Sequence, residues 1–166
     1  MARLCAALFL FLGFATSAAA RPLVLEDFFR RPAIATGSFR NSIDGTTRGI
    51  AVRFRGTWDA PNRTLILEEQ IRFSDGERQH KTWRLIRTGP RTYSGSREDV
   101  IGTAQGFIDD EGRVRLRYRA VVGSRTVSFD DVLALQTDGS VKNVASLSWL
   151  FIHVGDADLR IRRERH

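Results

Sequence analysis

From about residue 36 onward, apolar and polar side chains alternate, and turn-forming residues interrupt the alternation at short intervals. The clearest segment is 113–120, RVRLRYRA, where Val114, Leu116, Tyr118 and Ala120 alternate with four arginines. A period of two is typical of a strand with one buried and one solvated face. The pattern predicts strands in segments 49–58, 64–73, 81–87, around 93, 102–108, 113–120, 126–135, 141–154 and 157–163.

The connections between these segments are short and rich in turn residues, such as Asp75-Gly76, Gly89-Pro90 and Asp138-Gly139. A sheet of about nine or ten strands with one apolar face must close or fold over, and short connections favour an up-and-down barrel. The segment 23–30, LVLEDFFR, is the one helical candidate, and Pro32 ends it. The sequence therefore predicts an all-β protein, a single antiparallel up-and-down β-barrel with a short N-terminal helix.

The inward positions of these strands carry many large side chains. A barrel of about eight strands either packs solid or holds one small ligand. These side chains therefore form either a filled core or the lining of a pocket for an apolar molecule. The predicted inward set is Phe54, Trp58, Phe73, Trp83, Phe107, Tyr118, Phe129 and Leu133.

Two carboxylates share the apolar faces. Asp131 lies in register with Phe129 in the segment TVSFDDVLAL, and Glu69 lies in register with the apolar residues of segment 64–73. A buried carboxylate is protonated or paired, so each contacts an arginine or backbone amide, shares a proton with the other, or contacts a ligand. A β-bulge would instead turn Asp130 and Glu68 inward.

The N-terminal residues 1–20 have the pattern of a secretory signal peptide, which leaves 21–166 as one barrel domain. A positive charge at Arg3 precedes the apolar run 5–14, and small residues at 18–20 offer a cleavage site. We therefore expect export to the periplasm. Cys5, the only cysteine, precedes the apolar run, so no lipoprotein cysteine lies at the cleavage site, and 21–166 has no thiol for disulfide or zinc–thiolate chemistry.

The net charge of the whole chain is +7, and removal of Arg3 with the leader leaves +6. Arginines and acids are interspersed, apart from the basic block 160–165. An exported protein seldom meets nucleic acid, so an anionic membrane surface is the better partner for this charge. The alternative is a solvated surface without a partner.

The chain lacks the motifs of the common catalytic sites. No glycine-rich loop leads into a helix, and no G-x-S-x-G segment is present. His80, His153 and His166 are far apart in sequence and have no metal-ligand spacing. We therefore expect no cofactor and no metal, and assign no catalytic residue.

Short segments along the whole of 21–166 carry a family resemblance. The segments are LEDFF at 25–29, GSF at 37–39, FRGTWD at 54–59, LEE at 67–69, FSDG at 73–76, WRL at 83–85, TGP at 88–90, DVIGTAQG at 99–106, FDD at 129–131, DG at 138–139, Asn143 and VG at 154–155. In this order and spacing the chain resembles the DUF3833 family of proteobacterial proteins. The resemblance implies a lipocalin-like fold, export, and a gene neighbourhood of fatty-acid-modifying enzymes, such as relatives of cyclopropane-fatty-acid synthase. Many members resemble lipoproteins, and the missing lipoprotein cysteine departs from that pattern.

Three hypotheses follow for a monomeric, exported barrel. The first is a non-enzymatic module that binds an acyl lipid or other apolar small molecule in its interior. The second is an enzyme that acts on a modified lipid through the inward carboxylates. The third is an accessory protein with a solid core that acts through its surface. The candidate ligand-binding residues are Trp58, Glu69, Phe73, Trp83, Tyr118, Phe129 and Asp131.

Overall fold

A computed structural model describes residues 21–165 and shows one short helix and ten strands. The helix is α1 (Leu25–Phe29). The strands are β1 (Ala33–Asn41), β2 (Thr47–Asp59), β3 (Thr64–Phe73), β4 (Arg78–Arg87), β5 (Thr92–Ser96), β6 (Ala104–Ile108), β7 (Val114–Val122), β8 (Arg125–Leu135), β9 (Val141–Trp149) and β10 (Ile152–Arg163). The predicted signal peptide, residues 1–20, lies outside the described residues.

Each strand pairs antiparallel with its neighbour in sequence, and β1 pairs with β10 to close the barrel. The closing register places Ala33 opposite Arg163, and the register with β2 places Ala33 opposite Phe54. Closure leaves no free sheet edge, which explains how a sheet with one apolar face becomes stable in water. The predicted all-β, up-and-down barrel with a short N-terminal helix is confirmed.

Helix α1 closes one end of the barrel, which we call the floor. The Phe29 ring lies 5.2 Å from the ring of Phe54 on β2. The backbone of α1 comes so close to β2 that a Cβ on Gly56 would lie 2.2 Å from the carbonyl oxygen of Phe29, so glycine is required there. The backbone amide of Leu23 donates to the Gly112 carbonyl at 2.8 Å and fixes the approach to the helix.

A buried ion pair fastens the floor to the barrel wall. Glu26, with 3% of its surface exposed, accepts hydrogen bonds from the Arg87 guanidinium and, at 2.9 Å, from the Tyr93 hydroxyl. Arg87 also donates to the Pro90 carbonyl at 2.7 Å. Because both carboxylate oxygens of Glu26 have a partner, the charge is compensated within the floor.

The opposite end, which we call the mouth, carries the connections β1–β2, β3–β4, β5–β6, β7–β8 and β9–β10. The buried apolar side chains concentrate in the floor half, where Leu23, Phe28, Leu65 and Val114 are almost fully enclosed. The larger core cluster therefore lies in the floor half, and a smaller cluster of Val127, Ala145 and Leu147 lies on β8 and β9 toward the mouth. Among the described residues, no helix is long and apolar enough to cross a membrane.

Three details differ from the sequence predictions. The segment 141–154 is not one strand, because β9 ends at Trp149 and a two-residue turn at Leu150 and Phe151 reverses the chain. Both turn residues have left-handed backbones, with φ of 47° and 67°, and neither is a typical turn residue, so the turn was missed. The predicted segments begin at residue 49 and leave out β1, which starts at Ala33. Phe107, predicted to face inward, lies on the outer face, where the Arg117 guanidinium lies 5.8 Å from its ring centre.

Candidate ligand-binding cavity

The barrel encloses a cavity of about 560 Å³ that extends from the floor to the mouth. Leu25 and Phe29 of the floor form its base, and Val121, Val122 and Gly123 border it at the mouth. The wall between them is largely apolar, because the inward positions of the long strands supply Val, Leu, Ile and aromatic side chains. The barrel is therefore hollow, which argues against the hypothesis of a solid core.

A buried arginine lies at the centre of the polar part of the wall. Arg97 follows β5 directly and has 9% of its side chain exposed. Its Nε and Nη2 donate to the two carboxylate oxygens of Asp99 at 2.6 and 3.2 Å. Its guanidinium lies 4.5 Å from the ring centre of Trp83 and 5.3 Å from that of Tyr118. Two aromatic rings and one carboxylate therefore fix its orientation inside the barrel.

Asp99 holds two cations in the polar part of the cavity wall, Arg97 and Lys81, and we call these three residues, together with Glu69 and Asp131, the polar cluster. It accepts hydrogen bonds from Arg97 and from Lys81 of β4. Burial opposes ionisation of Asp99, but the hydrogen bonds from Arg97 and Lys81 outweigh this effect and keep its pKa below the usual value. Asp99 is therefore the permanently charged acid of the cluster.

Glu69 on β3 is the first inward carboxylate. Its Oε2 lies 3.5 Å from Nη1 of Arg97, and the 13% of its side chain that is exposed faces the cavity. Burial raises the pKa of Glu69 to about 7; Arg97 opposes this shift, and the nearby charge of Asp131 adds to it. Near neutral pH, Glu69 therefore exchanges between charged and neutral forms.

Asp131 on β8 is the second inward carboxylate. Its Oδ1 accepts a hydrogen bond from Asn143 Nδ2 at 3.2 Å, and the Tyr118 hydroxyl interacts favourably with its ionised form. Burial raises the pKa of Asp131 to about 6, although Asn143, Tyr118 and the charge of Arg97 all favour the ionised form. Burial and the neighbouring Asp131 raise the pKa of Tyr118 well above its usual value, so its hydroxyl stays protonated and can donate.

An aromatic row connects the two carboxylates. Trp83 meets Tyr118 edge to face at 5.1 Å, and Tyr118 stacks on Phe129 at 4.8 Å. This row and the neighbouring Arg97, Glu69 and Asp131 form a partly polar wall in a largely apolar cavity, and Arg48, Glu77 and Gln79 add further polar groups to the lining. Such a wall suits a mostly apolar molecule that carries one polar group.

The structure places six of the seven predicted site residues in the lining of this cavity, namely Glu69, Phe73, Trp83, Tyr118, Phe129 and Asp131. Trp58 is the exception, because its position near the end of β2 puts it at the floor, beyond the level of α1, where it packs against the core. The strand register is regular at both acids. Glu68 is exposed, and Asp130 lies on the outer face, where it pairs with Arg117 at 3.1 Å.

Seven polar residues that line the cavity were not predicted as site residues: Arg48, Glu77, Gln79, Lys81, Arg97, Asp99 and Asn143. Lys81 shares the period of two with Trp83 and Leu85, and this alternation was a usable signal. Arg97 continues the inward series of Tyr93 and Gly95, but it lies beyond the end of a five-residue strand. Asp99 lies in a segment interpreted as a tight bend, and Asn143 follows a turn, where capping of backbone groups was the simpler interpretation.

The described residues contain no group of three His, Cys, Asp or Glu side chains arranged to hold a metal ion. No hydrogen bond joins Glu69 to Asp131 within the described part of the chain. The two carboxyls interact through their charges and through Arg97 rather than by sharing a proton. The arrangement can therefore bind and orient a polar group and can take up or release protons near neutral pH.

Comparison with known proteins defines the class of this barrel. A family described as "Protein of unknown function (DUF3833)" matches residues 14–163, so the chain belongs to that family. Among solved structures, the S-type phycobiliprotein lyase CPES from Guillardia theta is similar with a TM-score of 0.62 and 12% identity over 87% of this chain and 94% of that chain. At that identity the likeness shows a shared lipocalin-like fold. A search of curated proteins found no match.

Proposed function

We propose that this protein binds an acyl lipid or another mostly apolar small molecule inside its barrel. The observation that carries the proposal is the cavity of about 560 Å³, which has largely apolar walls and a buried polar cluster that includes Glu69, Arg97 and Asp131. Ligand sites of about 300–1,000 Å³ with a few convergent polar groups are typical for small molecules. The apolar part of the ligand would lie toward Leu25 and Phe29, and its polar group would face the cluster.

The sequence and the fold support this proposal from separate directions. The phycobiliprotein lyase of similar fold acts, by its name, on proteins that carry a pigment, so the barrel is compatible with small-molecule chemistry. The predicted signal peptide and the family's expected link to fatty-acid-modifying enzymes favour a lipid of the bacterial envelope, met in the periplasm. The net positive charge of the chain favours a location near anionic membranes.

The main alternative is an enzyme that acts on a modified lipid. The raised pKa values of Glu69 and Asp131 favour this candidate, because carboxyls that titrate near neutral pH are suited to general acid–base work. The two acids would then have to move a proton on the bound molecule itself. Non-enzymatic binding needs only the cavity and the orienting contacts, and it is the function that the geometry supports best.

The first test is to identify what the protein carries. Residues 21–166 would be purified from the periplasm without detergent and analysed by native mass spectrometry, followed by extraction with organic solvent. We expect an apolar or acyl species at a fixed ratio to the protein. A protein that is empty and also fails to take up fatty acids would overturn the proposal. Incubation of the extracted species with fresh protein separates binding from turnover, because only an enzyme would change its mass.

A matched pair of variants tests whether the cavity is the binding site. Ala145 lies opposite Asp131 on β9 and lines the cavity, whereas its neighbour Val144 lies on the outer face. Ala145→Phe should place a ring in the cavity and exclude part of the apolar ligand. We expect the affinity to fall by about tenfold or more, which corresponds to a loss of about 1.4 kcal/mol in binding free energy. Val144→Phe should bind as the unaltered protein does. Equal binding by both variants in a fluorescence titration would place the ligand elsewhere.

A further inference from the structure

The exposed apolar side chains of the barrel are concentrated at the mouth. Of the ten large apolar side chains that are exposed among the described residues, seven lie in or beside the mouth connections. Six of them occupy neighbouring connections, because β8 pairs with β9 and β1 pairs with β10. We call this set the apolar rim, and it consists of Ile43, Val121, Val122, Leu150, Phe151 and Ile152.

The most exposed part of the apolar rim is the tip of the β9–β10 hairpin. Phe151 is fully exposed, and Leu150 and Ile152 are 68% and 61% exposed. Leu150 and Phe151 also adopt positive φ, which is unfavourable for residues with a branched or bulky side chain. A sequence selected for folding alone would place Asn-Gly in this turn. Two large, exposed apolar residues in place of Asn-Gly indicate that the hairpin tip contacts another molecule or a membrane.

Cations without an acidic partner border the apolar rim. Arg40, Arg119 and Arg125 are exposed and form no ion pair with any acid in the described part of the chain. Arg125 instead stacks on Trp149, at the base of the hairpin, with its guanidinium 4.4 Å from the ring centre. Tryptophan and arginine at the edge of an apolar surface are typical of segments that lie at the boundary between lipid and water. Acids are present at the mouth as well: Asp44 follows Ile43, and Asp156 pairs with His153 just after the hairpin tip. Asp75 and Glu77 lie in the β3–β4 connection, where both pair with Arg48.

The position of the apolar rim relates it to the cavity. Val121 and Val122 belong both to the apolar rim and to the lining of the cavity mouth. Insertion of the rim into a bilayer would therefore face the mouth of the cavity toward lipid, and an apolar ligand would not have to cross water between the two.

From these observations we propose that the apolar rim is a membrane-docking surface that inserts Leu150, Phe151 and Ile152 into an anionic lipid bilayer. Burial of the three side chains supplies the apolar contribution, and Arg40, Arg119 and Arg125 supply the attraction to anionic head groups. The docking does not depend on which ligand the cavity holds.

The test is sedimentation of the protein, residues 21–166, with vesicles of phosphatidylcholine that contain phosphatidylglycerol. The informative variant is Leu150→Asn/Phe151→Gly, which keeps the turn geometry and removes both apolar side chains. We expect it to lose at least about tenfold in vesicle affinity, because each large apolar side chain contributes more than that factor when buried. The control is Ile34→Asn, which removes an exposed apolar residue on the outer wall near the floor and should bind vesicles as the unaltered protein does.

Uptake of a fatty acid supplied in solution, measured on the same variant, separates this proposal from the proposed function. Uptake should be unchanged, because Leu150 and Phe151 do not line the cavity. Failure of the unaltered protein to sediment with the vesicles would overturn membrane docking whether or not the cavity binds a ligand. Equal vesicle binding by the turn variant would also overturn it. A dimer in solution that the turn variant abolishes, without vesicle binding, would assign the apolar rim to a contact between two copies of the chain.

Discussion

At the scale of single residues, the decisive feature is a carboxyl placed inside an apolar wall next to a fixed guanidinium. Glu69 contacts Arg97 only at 3.5 Å, whereas Asp99 takes the shorter hydrogen bonds of the same guanidinium. Arg97 thus compensates Asp99 fully and Glu69 only in part. A ligand that offers Arg97 an acceptor, or Glu69 a donor, would complete the set of interactions.

The raised pKa of Glu69 predicts a pH dependence of stability. In the folded state the pKa of Glu69 is about 7, whereas in the unfolded chain it has the usual value of 4.5. Between these two values the folded state binds more protons than the unfolded chain, so the free energy of unfolding falls as the pH rises. The free energy of unfolding should therefore fall by up to about 3 kcal/mol between about pH 5 and pH 8, with a smaller part from Asp131. Urea denaturation at a series of pH values measures it.

Glu69→Gln should remove most of this slope, because an amide does not titrate. Glu68→Gln is the control, since Glu68 lies on the outer face of the same strand. A profile for the unaltered protein that is flat over this range, or one that both substitutions change equally, would contradict a buried Glu69 that ionises near neutral pH.

At the scale of elements, the β9–β10 hairpin departs furthest from its ideal sequence, because it has two non-glycine residues at positive φ, whereas the β2–β3 turn has one, Arg63. Its turn needs positive φ at two positions, and glycine or asparagine adopts such a backbone with far less strain than leucine or phenylalanine. The other mouth hairpin of similar length, β7–β8, has Gly123 at its tip with φ of 60°. The comparison shows that the barrel can build an unstrained turn at this end.

The strain in this turn predicts that a substitution can stabilise the protein. Leu150→Asn/Phe151→Gly should raise the free energy of unfolding by about 1–2 kcal/mol, because the backbone strain is relieved and the removed side chains were exposed. Thermal unfolding measures the change as a higher Tm. The converse control is Gly139→Ala in the β8–β9 turn, where φ is +77° and a Cβ would meet no atom within 4 Å, so strain alone should lower the stability by about 1 kcal/mol. A lower Tm for the double variant would show that the turn is not strained.

At the scale of the whole molecule, closure decides the shape. Ten strands close without an edge, and helix α1 seals one end while the mouth stays open. The contact between Gly56 and the Phe29 backbone is the tightest point of this seal. The packing of α1 against β2 therefore requires a residue without a side chain at Gly56.

The seal can be tested with two glycines of the same strand. Gly56→Ala should lower the free energy of unfolding by about 1–3 kcal/mol, because its Cβ would lie 2.2 Å from the Phe29 carbonyl and would force α1 away from the wall. Gly49→Ala meets only the Ser74 side chain, at 3.3 Å, and should have the smaller effect. Urea denaturation gives the stabilities, and limited proteolysis reports release of the N-terminal segment. Equal stabilities and equal protection of that segment would show that α1 is not held by this contact.

The alternation along the chain was enough to predict most of the strands, most of the turns and the inward side of each predicted strand. It placed Glu69 and Asp131 inside because a period of two is a local property of an extended chain. It could not assemble the polar cluster, since Lys81, Arg97 and Asp99 meet only when β3, β4 and β5 align in the closed sheet. Only the tertiary structure excluded Trp58 from the cavity, because the end of β2 places its ring against the core at the floor. It also revealed the turn at Leu150 and Phe151, because these residue types give no local signal of a turn. Whether the interior is hollow was likewise decided by the tertiary structure, since the empty volume depends on how all ten strands close and not on the pattern of any one strand.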